Sequence, residues 1–134
     1  MTKKQITHDN EQFLLDIKVN NCSSYLHTYS FDLFNKHYNY IVECSCEFYP
    51  TMGEFKVKTI TNISGKENRG YASIVMQHVL KKANELGVDK ITGFISPFDI
   101  GTKELKYQVY GFYKKHGAAI KGNEFEIVLK HNEL

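Results

Sequence analysis

The run Lys66-Glu67-Asn68-Arg69-Gly70-Tyr71-Ala72-Ser73 follows a β-branched segment and opens the longest amphipathic stretch of the chain. Amide hydrogens in the first turn of a helix have no intrahelical acceptor, so such a junction attracts anions. Gly70 lets a ligand approach the main chain, Ala72 keeps the next exposed position small, and Lys66 and Arg69 add cationic donors suited to a pyrophosphate. A glycine after a polar loop is also ordinary helix punctuation. Neither G-x-x-x-x-G-K-S/T nor G-x-G-x-x-G occurs, which excludes two common nucleotide loops at motif level. Arg69 is the one arginine among seventeen basic residues, so its guanidinium raises the question of what a lysine does not do there. A second grouping, Cys44-x-Cys46, projects both thiols from one strand face. It offers two of the four ligands zinc normally needs, or simply two small buried hydrophobes.

The rest of the chain has to hold these groups in place. At 134 residues it fits one compact domain, 1–134, and 42% apolar with 24% charged residues is a globular balance. Fifteen acids against seventeen bases leave a net charge of +2 and a pI near 8.3, which disfavours generic nucleic-acid binding. Apolar runs reach only five or six residues and Met1 to Asn10 is polar, so no membrane span or leader is expected and the location expected is cytoplasmic. An odd set of three cysteines fits reduced thiols.

Period-two alternation predicts strands over 12–19 (Phe13, Leu15, Ile17, Val19), 40–48 (Tyr40, Val42, Cys44, Cys46, Phe48) and 55–61 (Phe55, Val57, Thr59, Thr61). Tyr25 to Asn35 fits strand or helix, and its aromatic content favours strand. From Gly70 the period changes to three and four, with Tyr71, Ile74, Val75, Val79, Ala83 and Leu86 on one face of a helix that Gly87 ends. Val88 to Ser96 reads as a buried strand stopped at Pro97. Leu105, Val109, Phe112 and His116 mark a second helix ended by Gly117, and Gly122-Asn123 joins two last strands in a hairpin. The order is β-β-β-β-α-β-α-β-β, a single α/β or α+β domain.

Glu67-Asn68-Arg69-Gly70-Tyr71-Ala72 resembles the acetyl-CoA signature R/Q-x-x-G-x-G/A of the GCN5-related N-acetyltransferases (GNAT), which follows the family's fourth strand and opens a long helix. Glu67 stands where the family has Arg or Gln. About forty residues on, Phe112-Tyr113-Lys114-Lys115-His116-Gly117-Ala118 resembles the family's F-Y-x-K-x-G-F segment, with Ala118 in place of Phe and Lys106 where an Asn is frequent. The resemblance covers roughly Phe55 to Lys130 and implies a mixed, mainly antiparallel central sheet flanked by helices. The N-terminal helical region is abbreviated, since Asn20 to Lys36 has no room for the family's usual two helices.

What the resemblance implies is transfer of an acetyl group from acetyl-CoA to a primary amine of a small molecule or protein by direct attack. Ile60 and Asn62 would meet the acetyl and pantetheine portions through their main chain, and Asn68, Arg69, Gly70, Tyr71, Ala72 and Ser73 would cover the pyrophosphate. Tyr113 would protonate the departing thiolate, a role open to a phenol with a pKa of about 10, although helix tyrosines also serve as core-edge packing. Glu43, Glu47 and Glu54 are the acids that could take the amine's proton or simply meet solvent; His27, His37 and His78 have no assigned role. The shortened acceptor side would stand open or be completed by a second subunit in a homodimer, with the aromatics of Tyr25 to Tyr40 as the surface. Other readings are a non-catalytic acyl-CoA-binding or sensing module on the same fold, and a small RNA-binding domain using Tyr107, Tyr110, Tyr113, Lys114 and Lys115.

Overall fold

The structure, a computed structural model, describes residues 2–63, 70–95 and 103–129. Five strands come first: β1 (Thr2–His8), β2 (Glu11–Ser23), β3 (Leu26–Asn35), β4 (Tyr40–Tyr49) and β5 (Glu54–Asn62). Then follow α1 (Tyr71–Glu85), β6 (Lys90–Phe94), α2 (Lys103–Lys115), β7 (Ala118–Lys121) and β8 (Glu124–Val128). The eight strands form one sheet in the order β1-β2-β3-β4-β5-β6-β8-β7. Every neighbouring pair is antiparallel except β5 and β6, and α1 supplies the crossover that a parallel pair requires.

One strand was not foreseen. Thr2–His8 pairs with β2 through a turn in which Asp9 and Asn10 both have positive φ, 50° and 64°, the geometry of a two-residue hairpin. Ile6 and His8 are half-buried while Gln5 and Thr7 are exposed, an alternation that the polar composition of this segment hides. The Tyr25 to Asn35 segment resolves as strand β3, from Leu26. The strand expected over Val88 to Ser96 is shorter, Lys90–Phe94, with Ser96 and Pro97 outside the described residues.

Register puts the apolar residues of all central strands on one face. Ile17 lies opposite Phe31, Phe31 opposite Cys44, and Cys44 opposite Ile60; Val57 lies opposite Gly93, and Gly93 opposite Phe125. Tyr71 of α1 packs on Phe13 at 5.3 Å and Tyr113 of α2 stacks on Phe125 at 4.1 Å, so both helices cover this same face. Phe31, Phe55, Leu15, Leu33 and Ile91 are fully buried there. Each such side chain contributes about 1.5–3 kcal/mol by leaving water. Among the described residues no helix covers the opposite face.

The strand expected over 55–61 is present, but its phase is not the simple one. Val57 pairs with Cys46 and Thr59 with Ser45, leaving Lys58 as an extra residue in a bulge. Beyond it Ile60 and Asn62, not Thr59 and Thr61, lie on the helix-covered side, opposite Cys44 and Val42.

Candidate active site

The parallel ladder between β5 and β6 runs only from Glu54–Lys90 to Val57–Gly93. Past that point β5 continues to Asn62 paired with β4, while Ile95 donates its amide to the Asn123 carbonyl at 2.6 Å and so leans toward the β7–β8 hairpin. The two strands therefore part where the bulge at Lys58 ends the shared register. Half-buried Ile60 and Asn62 stand on the β5 side of the slit.

α1 begins at the same end of the sheet. Its N-cap Gly70 has φ +78°, no side chain caps the helix, and no acid occupies its first turn. Ile74 donates to the Gly70 carbonyl at 3.1 Å. Helix geometry leaves the earlier amides of Tyr71, Ala72 and Ser73 without intrahelical partners. Tyr71 is buried against Phe13, whereas Ala72 and Ser73 are half-buried. Asn68 and Arg69, with Lys66 and Glu67, lie outside the described residues.

Sequence reading missed His8 at this site. A side chain on Gly70 would meet the His8 ring at 3.2 Å, a tight contact that adds to the strain its left-handed backbone would place on any other residue. His8 also packs edge-on to Tyr71 at 6.1 Å and lies 3.5 Å from the Asp9 carboxylate. The signal was available in the alternation of Ile6 and His8 across the first hairpin. The end of α2 supplies a second unforeseen contact: Lys115 Nζ and His116 Nε2 lie 3.2 and 3.1 Å from Ser73 Oγ. Burial, and then the Lys115 charge, hold His116 below its ordinary pKa. Lys115 and the imidazoles of His8 and His116 thus flank the first turn of α1.

Tyr113 lies two residues before Lys115 and is 7% exposed, its ring stacked on Phe125 and tilted 5.2 Å from Phe112. Phe125 in turn fills the space over Gly93, where an added methyl group would stand only 2.5 Å from the ring and 2.9 Å from the Val57 carbonyl. Gly93, at the last rung of the β5–β6 ladder, thereby sets how closely the Phe125–Tyr113 stack approaches the slit.

On the uncovered face, a groove of about 450 Å³ lies over β5, β6 and β8, lined among others by Glu47, Tyr49, Lys56, Lys58, Thr92 and Phe94. Two acids considered as bases are engaged there. Glu47 lies 3.4 Å from Lys58 and accepts the Tyr49 hydroxyl at 3.1 Å, and Glu54 lies 3.8 Å from Lys56. Glu43 stands opposite Asp32 and Thr61, beside the slit. Among the histidines without an assigned role, His78 donates Nδ1–H to the Ile74 carbonyl at 2.9 Å and His27 packs on Phe48. Cys44 and Cys46 are core residues with sulfurs 3.7 Å apart, and burial drives the Cys46 thiol well above its usual pKa.

No family model matches the sequence, and no curated protein sequence matches it. Solved structures do. An acetyltransferase from Bacillus cereus superposes with a TM-score of 0.64 at 19% identity, covering 78% of this chain and 74% of its own. An acetyltransferase of the GNAT family from Staphylococcus aureus gives 0.62 at 13% identity, over 77% and 68%. YhhK of E. coli, solved bound to coenzyme A, gives 0.56 at 12% identity, over 81% and 75%. At these identities the likeness speaks for architecture and not for the role of any residue. With a mainly antiparallel eight-stranded sheet, one parallel junction and two helices, the chain has the GNAT fold, and its structural neighbours are acetyltransferases of that family.

Proposed function

We propose that the chain is an acetyl-CoA-dependent N-acetyltransferase. The observation that carries this reading is the parting of β5 and β6 beside an uncapped, acid-free helix N-terminus. The helix end offers amide donors to a diphosphate, and the slit leads from there along the main chain of Ile60 and Asn62. YhhK, which shares the fold, was solved with coenzyme A. The main chain of Gly70, Tyr71, Ala72 and Ser73, together with Asn68 and Arg69, would hold the diphosphate, with Lys115 close enough to add charge and His116 a hydrogen bond.

Acetyl-CoA supplies an activated acyl group. A neutral amine attacks the thioester carbon, a C–N bond forms as the C–S bond breaks, and an amide of β5 stabilises the carbonyl oxygen as it gains charge. Tyr113 would give its phenolic proton to the departing sulfur, the attacking nitrogen would lose its surplus proton to water, and the phenolate would regain a proton from solvent. Calorimetric titration with acetyl-CoA, followed by thiol release over a panel of primary amines, tests the reading. Binding with release supports it, and absence of binding refutes it. A second reading, a non-catalytic acyl-CoA-binding module, is favoured by the burial of Tyr113 in an aromatic stack, and binding without release on every amine would select it.

A further inference from the structure

The hydroxyl of Ser73 is held between a base and a cation. Its Oγ lies 3.1 Å from His116 Nε2 and 3.2 Å from Lys115 Nζ, both at the end of α2. The serine is 42 and 43 positions from its two partners, so the packing of α2 beside α1 brings them together and no local pattern does. An ammonium group can only donate, so the serine oxygen accepts from Lys115 and its single proton is left for His116. Nε2 receives that proton's hydrogen bond as a neutral imidazole. Burial, and then the charge of Lys115, favour this neutral form. Ser73 is half-buried and Lys115 exposed, so the hydroxyl stands within reach of a molecule from solvent.

A serine hydroxyl is a weak nucleophile until a base at hydrogen-bond distance takes its proton during attack. Here the base is itself held in place. The His116 ring packs edge-on against Phe112 at 5.1 Å and its amide donates to the Tyr113 carbonyl at 3.1 Å, after which Gly117, with φ +90°, turns the chain out of α2. The positive charge of Lys115 favours the oxygen as it loses its proton. The amides of the uncapped first turn of α1 lie on the same element and suit the negative charge that a carbonyl oxygen gains when attacked. Nucleophile, base and oxyanion donors are the parts that acyl transfer to a serine needs. A clip between the two helices would be served by either contact alone, whereas the two together orient the hydroxyl proton toward the base.

We infer that Ser73 is an activated nucleophile and that the chain hydrolyses activated carboxylic esters through an acyl-Ser73 intermediate. A bond forms between Oγ and the acyl carbon as the ester C–O bond breaks, and the hydroxyl proton passes to His116 Nε2 and on to the departing alcohol. Water then attacks the acyl carbon and gives a proton to His116. The bond to Oγ breaks, that proton returns to Ser73, and the carboxylic acid leaves and ionises. The activity uses neither the slit nor Tyr113 and does not rest on the transferase reading. A diphosphate seated on the first turn of α1 would cover Ser73, so the hydrolysis belongs to the cofactor-free protein.

The experiment is incubation of the intact protein with p-nitrophenyl acetate at neutral pH and without acetyl-CoA. Absorbance follows p-nitrophenol, and peptide mass spectrometry locates the acetyl group. Acetyl is expected on Ser73 in preference to every other serine. His116→Gln should slow acetylation of Ser73 by about a hundredfold, Lys115→Met should slow it less, and Lys115→Arg should restore part of that loss. Ser45→Ala, on β4, leaves the rate on Ser73 unchanged. Unfolding midpoints establish that the variants are folded. In the parent unfolded by urea, Ser73 should lose its preference, a readout that needs no variant. Absence of acetyl on Ser73 of the folded parent, an unchanged rate in folded His116→Gln, or an equal preference for Ser73 in urea would each overturn the inference.

Discussion

On the face beneath α1 and α2, rung after rung of the sheet is apolar, with Leu15 beside Leu33, Phe31 beside Cys44, and Phe55 beside Ile91. On the other face the same strands present Asp16, Asp32 and Glu43, then Glu47 with Lys58 and Lys90 with Glu126. The two faces share one backbone and differ only in which alternate residue they receive. The covered face carries the stability of the domain, and the uncovered face carries charge that stability alone does not explain. The slit between β5 and β6 is where the two meet, because the bulge at Lys58 changes which residues face which way.

The contrast is most severely tested in the core. Phe55→Ala on the covered face is expected to cost about 3–5 kcal/mol in urea unfolding, whereas Glu47→Ala on the other face should stay within about 1 kcal/mol. Comparable losses would break the division between the faces. Tyr113→Phe keeps the stack on Phe125 and removes only the hydroxyl. Turnover should fall about a hundredfold with acetyl-CoA affinity unchanged, read from thiol release and calorimetry. Gly70→Ala places a methyl group against His8 on a left-handed backbone, and a loss of about 1–2 kcal/mol is expected in thermal unfolding.

The smallest effects are those of charge. Asp32 has its pKa raised in the fold, so it binds more protons folded than unfolded, and its influence favours the folded state below the ordinary carboxylate value. That advantage is lost as pH rises through the raised value, so Asp32→Asn should be slightly more stable than the parent at pH 7. His116 has the opposite sign. With its pKa lowered, the unfolded chain binds more protons, so its contribution to stability is lost as pH falls from about 6.5 through the lowered value. His116→Gln should flatten that decline in a series of denaturant midpoints.

Much of the covered face was legible because its signals are local. Val42, Cys44, Cys46 and Phe48 alternate as expected, although a register shift turns Tyr40 to the other face beside Phe34, and Ile74, Val75, Val79 and Ala83 recur at helical spacing on the buried side of α1. The first strand escaped notice because Lys3, Lys4 and Gln5 mask the alternation of Ile6 and His8. The phase of β5 was misread because a bulge is set by pairing with β4, and nothing between Lys56 and Ile60 announces it. The uncovered face was harder still. Asp16, Asp32 and Glu43 are far apart in the chain, and only the register of two hairpins makes them neighbours. His8 reaches Gly70 for the same reason.

Gly93 acts as a spacer. A single hydrogen atom there admits the Phe125 ring, and the ring determines how deep the phenol above it sits relative to the cleft floor. Enlarging that position would lift both rings together like a shim beneath a lever, and the proton delivery proposed for Tyr113 would change in geometry with no atom of that residue altered.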